Sequence, residues 1–150
     1  MRFYFALSST CTTFAPRSKE IIMEPTHKIN KVSLRNLQME DYDQLNKSFK
    51  RIYADSDVFW TKAQIKKLIT IFPEGQVVII VDDKIVGCAL SIIVDYDMVK
   101  GDHTYAQVTG NETFNTHNPH GNILYGIEVF IHPDYRGLRL ARRMYEYRKE

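Results

Sequence analysis

Four arginines, Arg136, Arg139, Arg142 and Arg143, crowd around a single glycine, Gly137, near the end of the chain. They fall where an apolar strand gives way to a helix. Residues 123–131 are almost continuously apolar, and His132, Pro133 and Asp134 break the run. Proline has no N–H to donate into a ladder, so Pro133 closes the strand. From about Leu138 the apolar period changes from strand-like to helical, with Leu140, Met144 and Tyr147 at i, i+4 and i+7. The first turn of a helix exposes unpaired N–H groups and the positive end of its dipole. A glycine there lets a ligand oxygen approach the backbone closely. Cations are disfavoured at this end, and no acidic residue lies between Asp134 and Glu146. A bound anion would resolve that contradiction, and a polyphosphate would do so fully. The competing reading is an ordinary solvated basic face, and these residues alone do not separate the two.

The segment Pro133-Asp-Tyr135-Arg-Gly-Leu-Arg-Leu-Ala141 resembles the acetyl-CoA signature of the GCN5-related N-acetyltransferases, the GNAT superfamily. That signature is Gln or Arg, two residues, Gly, one residue, then Gly or Ala. Arg136 and Ala141 fill the outer positions, while Pro133 and Gly137 match common flanking residues. Arg139 stands where the inner glycine is usual, which adds charge and removes a point where backbone touches pyrophosphate.

The resemblance implies acetyl-CoA as cofactor. Backbone groups of Val129, Phe130 and Ile131 would hold the pantetheine arm, and Arg136, Gly137, Leu138, Arg139, Leu140, Ala141 and Arg142 the pyrophosphate. It also implies direct attack of an amine, small-molecule or protein, on the thioester. Glu128 lies on the strand where many family members carry the general base. Flanked by Ile127 and Val129, it would have a raised pKa if buried, suiting proton abstraction near neutral pH. The alternative for Glu128 is a carboxylate paired with a nearby arginine. The acid for the leaving thiolate is often a tyrosine on a later helix of the family, and Tyr125 is the substitute candidate here. More closely, residues 121–150 are similar to the N-terminal acetyltransferase domain of bifunctional proteins. Those proteins continue into a carbon–nitrogen hydrolase domain, so longer relatives are expected to carry one.

The fold class expected is α/β (α+β), a GNAT-like mixed, mainly antiparallel sheet flanked by helices. The resembling domains continue with another strand, a helix and a hairpin, so a domain truncated after the cofactor-binding helix is expected. Residues 31–35 alternate as a first strand, and Tyr42, Leu45, Phe49 and Ile52 form one apolar helical stripe. Thr61 and Gln64 make a capping box for a second helix, with Ile65, Leu68, Ile69 and Phe72 on one face and a stop at Pro73 and Gly75. Phe59 and Trp60 before it could line an acceptor pocket, but a packing anchor is favoured. Residues 76–81 and 85–94 read as a hairpin turning at Asp82-Asp83, with Gly87 marking a bulge or a close backbone approach. Residues 95–122 form a long polar segment, with a short helix expected at 104–108. Its His117 and His120 flank a proline without an evident third ligand, so no metal is expected.

Residues 1–22 read as a disordered extension, with Met23 as the expected true start and 23–150 as the N-terminal portion of the GNAT domain. A net charge of +2 is too mild for a nucleic-acid binder. The two cysteines, Cys11 and Cys88, suggest neither disulfide nor zinc, Cys88 reads as a small core residue, and no apolar run is long enough to span a membrane. A cytoplasmic location is the default. Two further readings stay open: a non-catalytic CoA-binding or protein-interaction module, and a basic helix for nucleic acid.

Overall fold

The computed structural model describes residues 2–5 by their backbone, then 29, 31–53 and 59–148. Its spine is a hairpin of two strands, β3 (Val77–Val81) and β4 (Lys84–Val94). Asp82 and Asp83 turn it, both left-handed at φ 46° and 65°, the pattern that matches the twist of paired strands. Strand β2 (Val32–Asn36) lies antiparallel to β3, and β5 (Ile123–Ile131) antiparallel to β4. The backbone of Arg2–Phe5 adds β1, parallel to the outer edge of β5, giving the order β1-β5-β4-β3-β2.

Strand β1 departs from the expectation that residues 1–22 stand apart from the fold. It runs beside β5 from Arg2 opposite Ile123 to Phe5 opposite Gly126. The aromatic sequence Arg-Phe-Tyr-Phe has strand propensity, and β5 otherwise presents an open edge. Residues 6–22 and the expected start at Met23 lie outside the described residues.

Each sheet face carries a core. Against one face pack α1 (Tyr42–Lys50), α2 (Lys62–Ile71) and α3 (Tyr105–Thr109). Leu45, Phe49, Ile65, Leu68 and Val108 there meet Cys88, Leu90 and Ile92. On the other face α4 (Leu140–Tyr147) sets Leu140 and Met144 against Val77, Ile79, Val81, Val86 and Ala89. Tyr147, expected on the same stripe, is exposed.

Local devices explain the elements. Thr61 Oγ1 accepts from Gln64 N–H while Gln64 returns a bond to Thr61 N–H, closing the expected capping box. Phe59 packs on Phe49 with ring centroids 4.9 Å apart, and Trp60 on Phe114 at 5.6 Å, so both act as anchors of the core. Gly87 fulfils both expectations: the register slips beside it, between Ile79 and Ile80, and an added Cβ would meet Phe130 O at 2.5 Å.

The long polar segment is more ordered than its composition suggests. Thr104 and Gln107 form a second capping box that starts α3 one residue later than expected, and Gly110 at φ 62° ends it. Phe114 is buried, and His117 Nδ1 accepts from Ile93 N–H at 3.1 Å while its ring stacks on Phe72. Burial lowers the His117 pKa, so the neutral ring that this bond requires is favoured. His117 is therefore a strut for β4. Among the described residues no group of three or more His, Cys, Asp or Glu side chains could hold a metal, and no helix is long and apolar enough to cross a membrane.

Candidate active site and anion loop

The site is built on an irregularity in β5. Along β4 and β5, Leu90 pairs with Glu128 but Ser91 pairs with Gly126, which leaves Ile127 as an extra residue. In a regular strand Tyr125 and Glu128, three residues apart, would face opposite sides. The bulge cancels one alternation, so both face the side of Leu90 and Ile92, where α1, α2 and α3 pack. Glu128 is thereby directed toward the helices instead of toward α4.

Its surroundings limit water and supply no cation among the described residues. Burial raises the Glu128 pKa, partly offset by a hydrogen bond from Val129 N–H. No lysine or arginine forms an ion pair with it among the described residues. Two phenols stand within its electrostatic reach. Burial raises Tyr53, and Glu128 adds to this while Arg136 opposes it. Tyr105 is raised strongly by burial first, then by Glu112 and Glu128. Tyr53, just beyond α1 and partly exposed, thus feels both the carboxylate and the first residue of the arginine cluster. Sequence reasoning missed both tyrosines, because nothing in their spacing signals that α1 and α3 converge on β5. Tyr125 is fully buried and its hydroxyl has no hydrogen-bond partner. The Cys88 thiol, opposite Phe130, is pushed well up by burial and is no nucleophile in that state.

Strand β1 covers β5 only as far as Gly126, leaving the outer edge beyond the bulge without a strand among the described residues. His132 N–H donates to Val86 O, which fixes the alternation of the ladder. Backbone groups of Val129 and Ile131 consequently turn toward the open edge, while Phe130 turns its backbone to β4 and its ring into the core. The side chains of Val129 and Ile131 pack with the α4 core, so among the described residues a ligand at this edge meets only their backbone, with Val129 N–H shared with Glu128.

Beyond β5, Pro133–Tyr135 makes a single helical turn, and the chain then loops into α4. The helix begins at Leu140, later than the expected Leu138, because two residues are left-handed: Gly137 at φ 83° and Arg139 at φ 55°. Arg139 occupies the conformation glycine adopts freely, a physical reason for a glycine at this place in the signature. A Cβ on Gly137 would meet nothing within 4 Å, so this stretch of backbone is open to an approaching group. The first helical bond runs from Arg143 N–H to Arg139 O, so the N–H groups of Leu140, Ala141 and Arg142 have no acceptor within the helix.

Arg136, Arg139, Arg142 and Arg143 are all exposed, and Arg142 bonds Glu146 at 2.9 Å. Leu138 packs against the α4 core and Leu140 is buried in it, so both offer backbone only. The structure brings Arg136, Gly137, Arg139 and the helix start together as a cationic, donor-rich surface. These residues fit a polyphosphate through open backbone, free N–H groups and unopposed charge.

The chain resembles known proteins in sequence and in fold. The family model described as "Acetyltransferase (GNAT) family" matches residues 32–150. The Bacillus subtilis (strain 168) protein named probable hydrolase YhcX is 31% identical over 120 residues, 80% of this chain and 23% of that one. The uncharacterized N-acetyltransferase YkwB of the same organism is 28% identical over 127 residues, 83% of this chain and 56% of that one. The chain therefore spans less than two thirds of either relative. Among solved structures, the loading GNATL domain of CurA from Lyngbya majuscula superposes with a TM-score of 0.64 at 24% identity, over 79% of this chain and 57% of that one. The GphF GNAT-like decarboxylase in complex with isobutyryl-CoA gives 0.56 at 18% identity, over 77% and 56%. With a half-buried glutamate re-aimed by a strand bulge and an open glycine turn leading into α4, matched across residues 32–150 by its family model, the chain belongs to the acetyltransferase (GNAT) family.

Proposed function

We propose that this chain binds acetyl-CoA and transfers the acetyl group to an amine, with Glu128 as general base. The observation that carries the reading is the placement of Glu128: a desolvated carboxylate without an ion pair, just past a bulge and beside an open strand edge. Bound acetyl-CoA supplies an acyl group activated as a thioester, whose C–S bond breaks as the C–N bond forms. Open-edge backbone of Val129 and Ile131 orients the pantetheine amides. Arg136, Arg139 and the N–H groups at the start of α4 neutralise the pyrophosphate. Glu128 takes the proton that the acceptor ammonium must lose before its nitrogen can attack. Tyr53 and Tyr105, within electrostatic reach of the same carboxylate, are the candidates for the acceptor side.

The family's other chemistry bears on acyl specificity, since a relative of similar fold is a decarboxylase that binds isobutyryl-CoA. A non-catalytic CoA-binding module is the second reading, favoured by Arg139 in place of the signature's glycine. A hydrolase domain elsewhere in a longer protein is part of the proposal, supported by the name and greater length of YhcX.

Thermal melts with acetyl-CoA, isobutyryl-CoA and free CoA test the reading. Saturation at about 100 times Kd adds roughly 2.7 kcal/mol to stability. Arg136→Ala is expected to diminish the gain and Glu128→Gln to leave it intact. A cooperative melt indifferent to all three compounds rejects a CoA-dependent function. Binding without thiol release across a panel of amines supports the module instead. Loss of all binding as salt rises, with no competition by CoA, supports the basic-helix reading.

A further inference from the structure

A cavity of about 370 Å³ lies beside the anion loop and is lined by none of residues 136–142. It is walled by Lys47, Ser48 and Arg51 of α1 and the turn just beyond it, floored by Ile85 and Val86 of β4, and closed by His132, Asp134 and Tyr135. Lys84 stands at its rim. Three cations therefore face one carboxylate. The Asp134 carboxylate lies 3.8 Å from Arg51, both side chains largely exposed, and 3.7 Å from His132 Nδ1, so it pairs only weakly with the cations. Lys47 and Lys84 make no ion pair among the described residues. His132 is buried, its Nδ1 3.3 Å from the backbone N of Asp134 and 3.7 Å from that residue's carboxylate. The Tyr135 ring, edge-on to His132 at 5.7 Å, and the aliphatic floor give the cavity an apolar side.

Uncompensated cations around a concave surface with one apolar wall form a site for an anion that carries an organic part. The volume exceeds what a bare phosphate needs. We propose that this cavity binds a small phosphomonoester, its dianion held by Lys47, Lys84 and Arg51 and its organic part against Tyr135 and Ile85. The site is distinct from the surface that Gly137 and Arg139 provide and does not depend on the acetyltransferase reading.

Amide NMR of the full chain in about 0.15 M salt tests it, because that ionic strength screens diffuse attraction to exposed charge. Phenyl phosphate is expected to shift the Ser48, Ile85 and Asp134 amides saturably. Inorganic phosphate should bind about tenfold more weakly, and phenol should leave these amides unmoved. The double variant K47E/K84E, at two exposed positions, should weaken phenyl phosphate about tenfold or more, with K84Q intermediate and R139A unchanged. Shifts confined to residues 137–142, a non-saturating response, or equal affinity in K47E/K84E would overturn the proposal. Equal affinity for inorganic phosphate would overturn the assignment to an organic ester.

Discussion

Asp41 and Glu128 are both withdrawn from water, and the chain treats them in opposite ways. Burial alone would raise Asp41. Two Arg35 nitrogens at 2.6 and 2.8 Å and the Gln38 N–H at 2.9 Å outweigh that effect and hold its pKa below the ordinary value. This bidentate pair ties the end of β2 to the turn that starts α1. Glu128 keeps the cost of burial with one backbone N–H to offset it, and its pKa is raised. A carboxylate that is fully paired builds structure. One left without a cation retains affinity for a proton, which is what a general base requires.

The contrast is broken most severely by Glu128→Gln. We expect it to lower acetyl-transfer turnover by about 100-fold or more, read as thiol release with any acceptor the amine screen yields. Acetyl-CoA affinity should stay within error, and equal loss of binding would make Glu128 structural. Asp41→Asn should do the reverse. It removes charge-assisted hydrogen bonds around a partly exposed guanidinium and should cost about 2 kcal/mol in urea unfolding. Direct effects on acetyl-CoA binding by the folded protein are expected to be small.

The two groups also predict opposite pH slopes. A depressed Asp41 favours the folded state at pH values above its unfolded pKa, a gain lost as pH falls through the lower folded value. A raised Glu128 makes the folded state bind more protons than the unfolded one, so its contribution falls as pH rises from the ordinary glutamate range through the raised value. Consequently Glu128→Gln should melt higher than the parent above that window, relative to the difference below it. Melts of the parent, Asp41→Asn and Glu128→Gln across acidic to neutral pH check both signs. The smallest effect concerns Arg139, whose left-handed backbone strains any residue with a Cβ. Arg139→Gly should stabilise by up to about 1 kcal/mol, an effect that chemical denaturation resolves. The same change should weaken acetyl-CoA through the lost charge.

What was legible in the sequence was periodic or capped. Thr61 with Gln64 announced α2, the apolar run before Pro133 announced β5, and Gly87 announced a close approach that Phe130 O makes real. The arginines around Gly137 contradict the helix they begin, which suggested an anion surface without separating it from a solvated basic face. Other features were hidden because they depend on pairing. The bulge at Ile127 exists only in the register between β4 and β5, and without it Glu128 would face α4. Tyr53 and Tyr105 come near Glu128 only when α1 and α3 settle on one sheet face. Strand β1 was missed because the rest of the segment, from Ser8 to Thr13, is polar and unpatterned.

The most direct test of the account follows the side-chain carboxyl carbons of Glu128 and Asp41 by NMR through an acid titration, with and without acetyl-CoA. Glu128 should titrate above the ordinary glutamate value and move when acetyl-CoA binds, while Asp41 titrates below the ordinary aspartate value and stays unmoved. A Glu128 that titrates at or below its ordinary value, or is indifferent to acetyl-CoA, would contradict its role as the base.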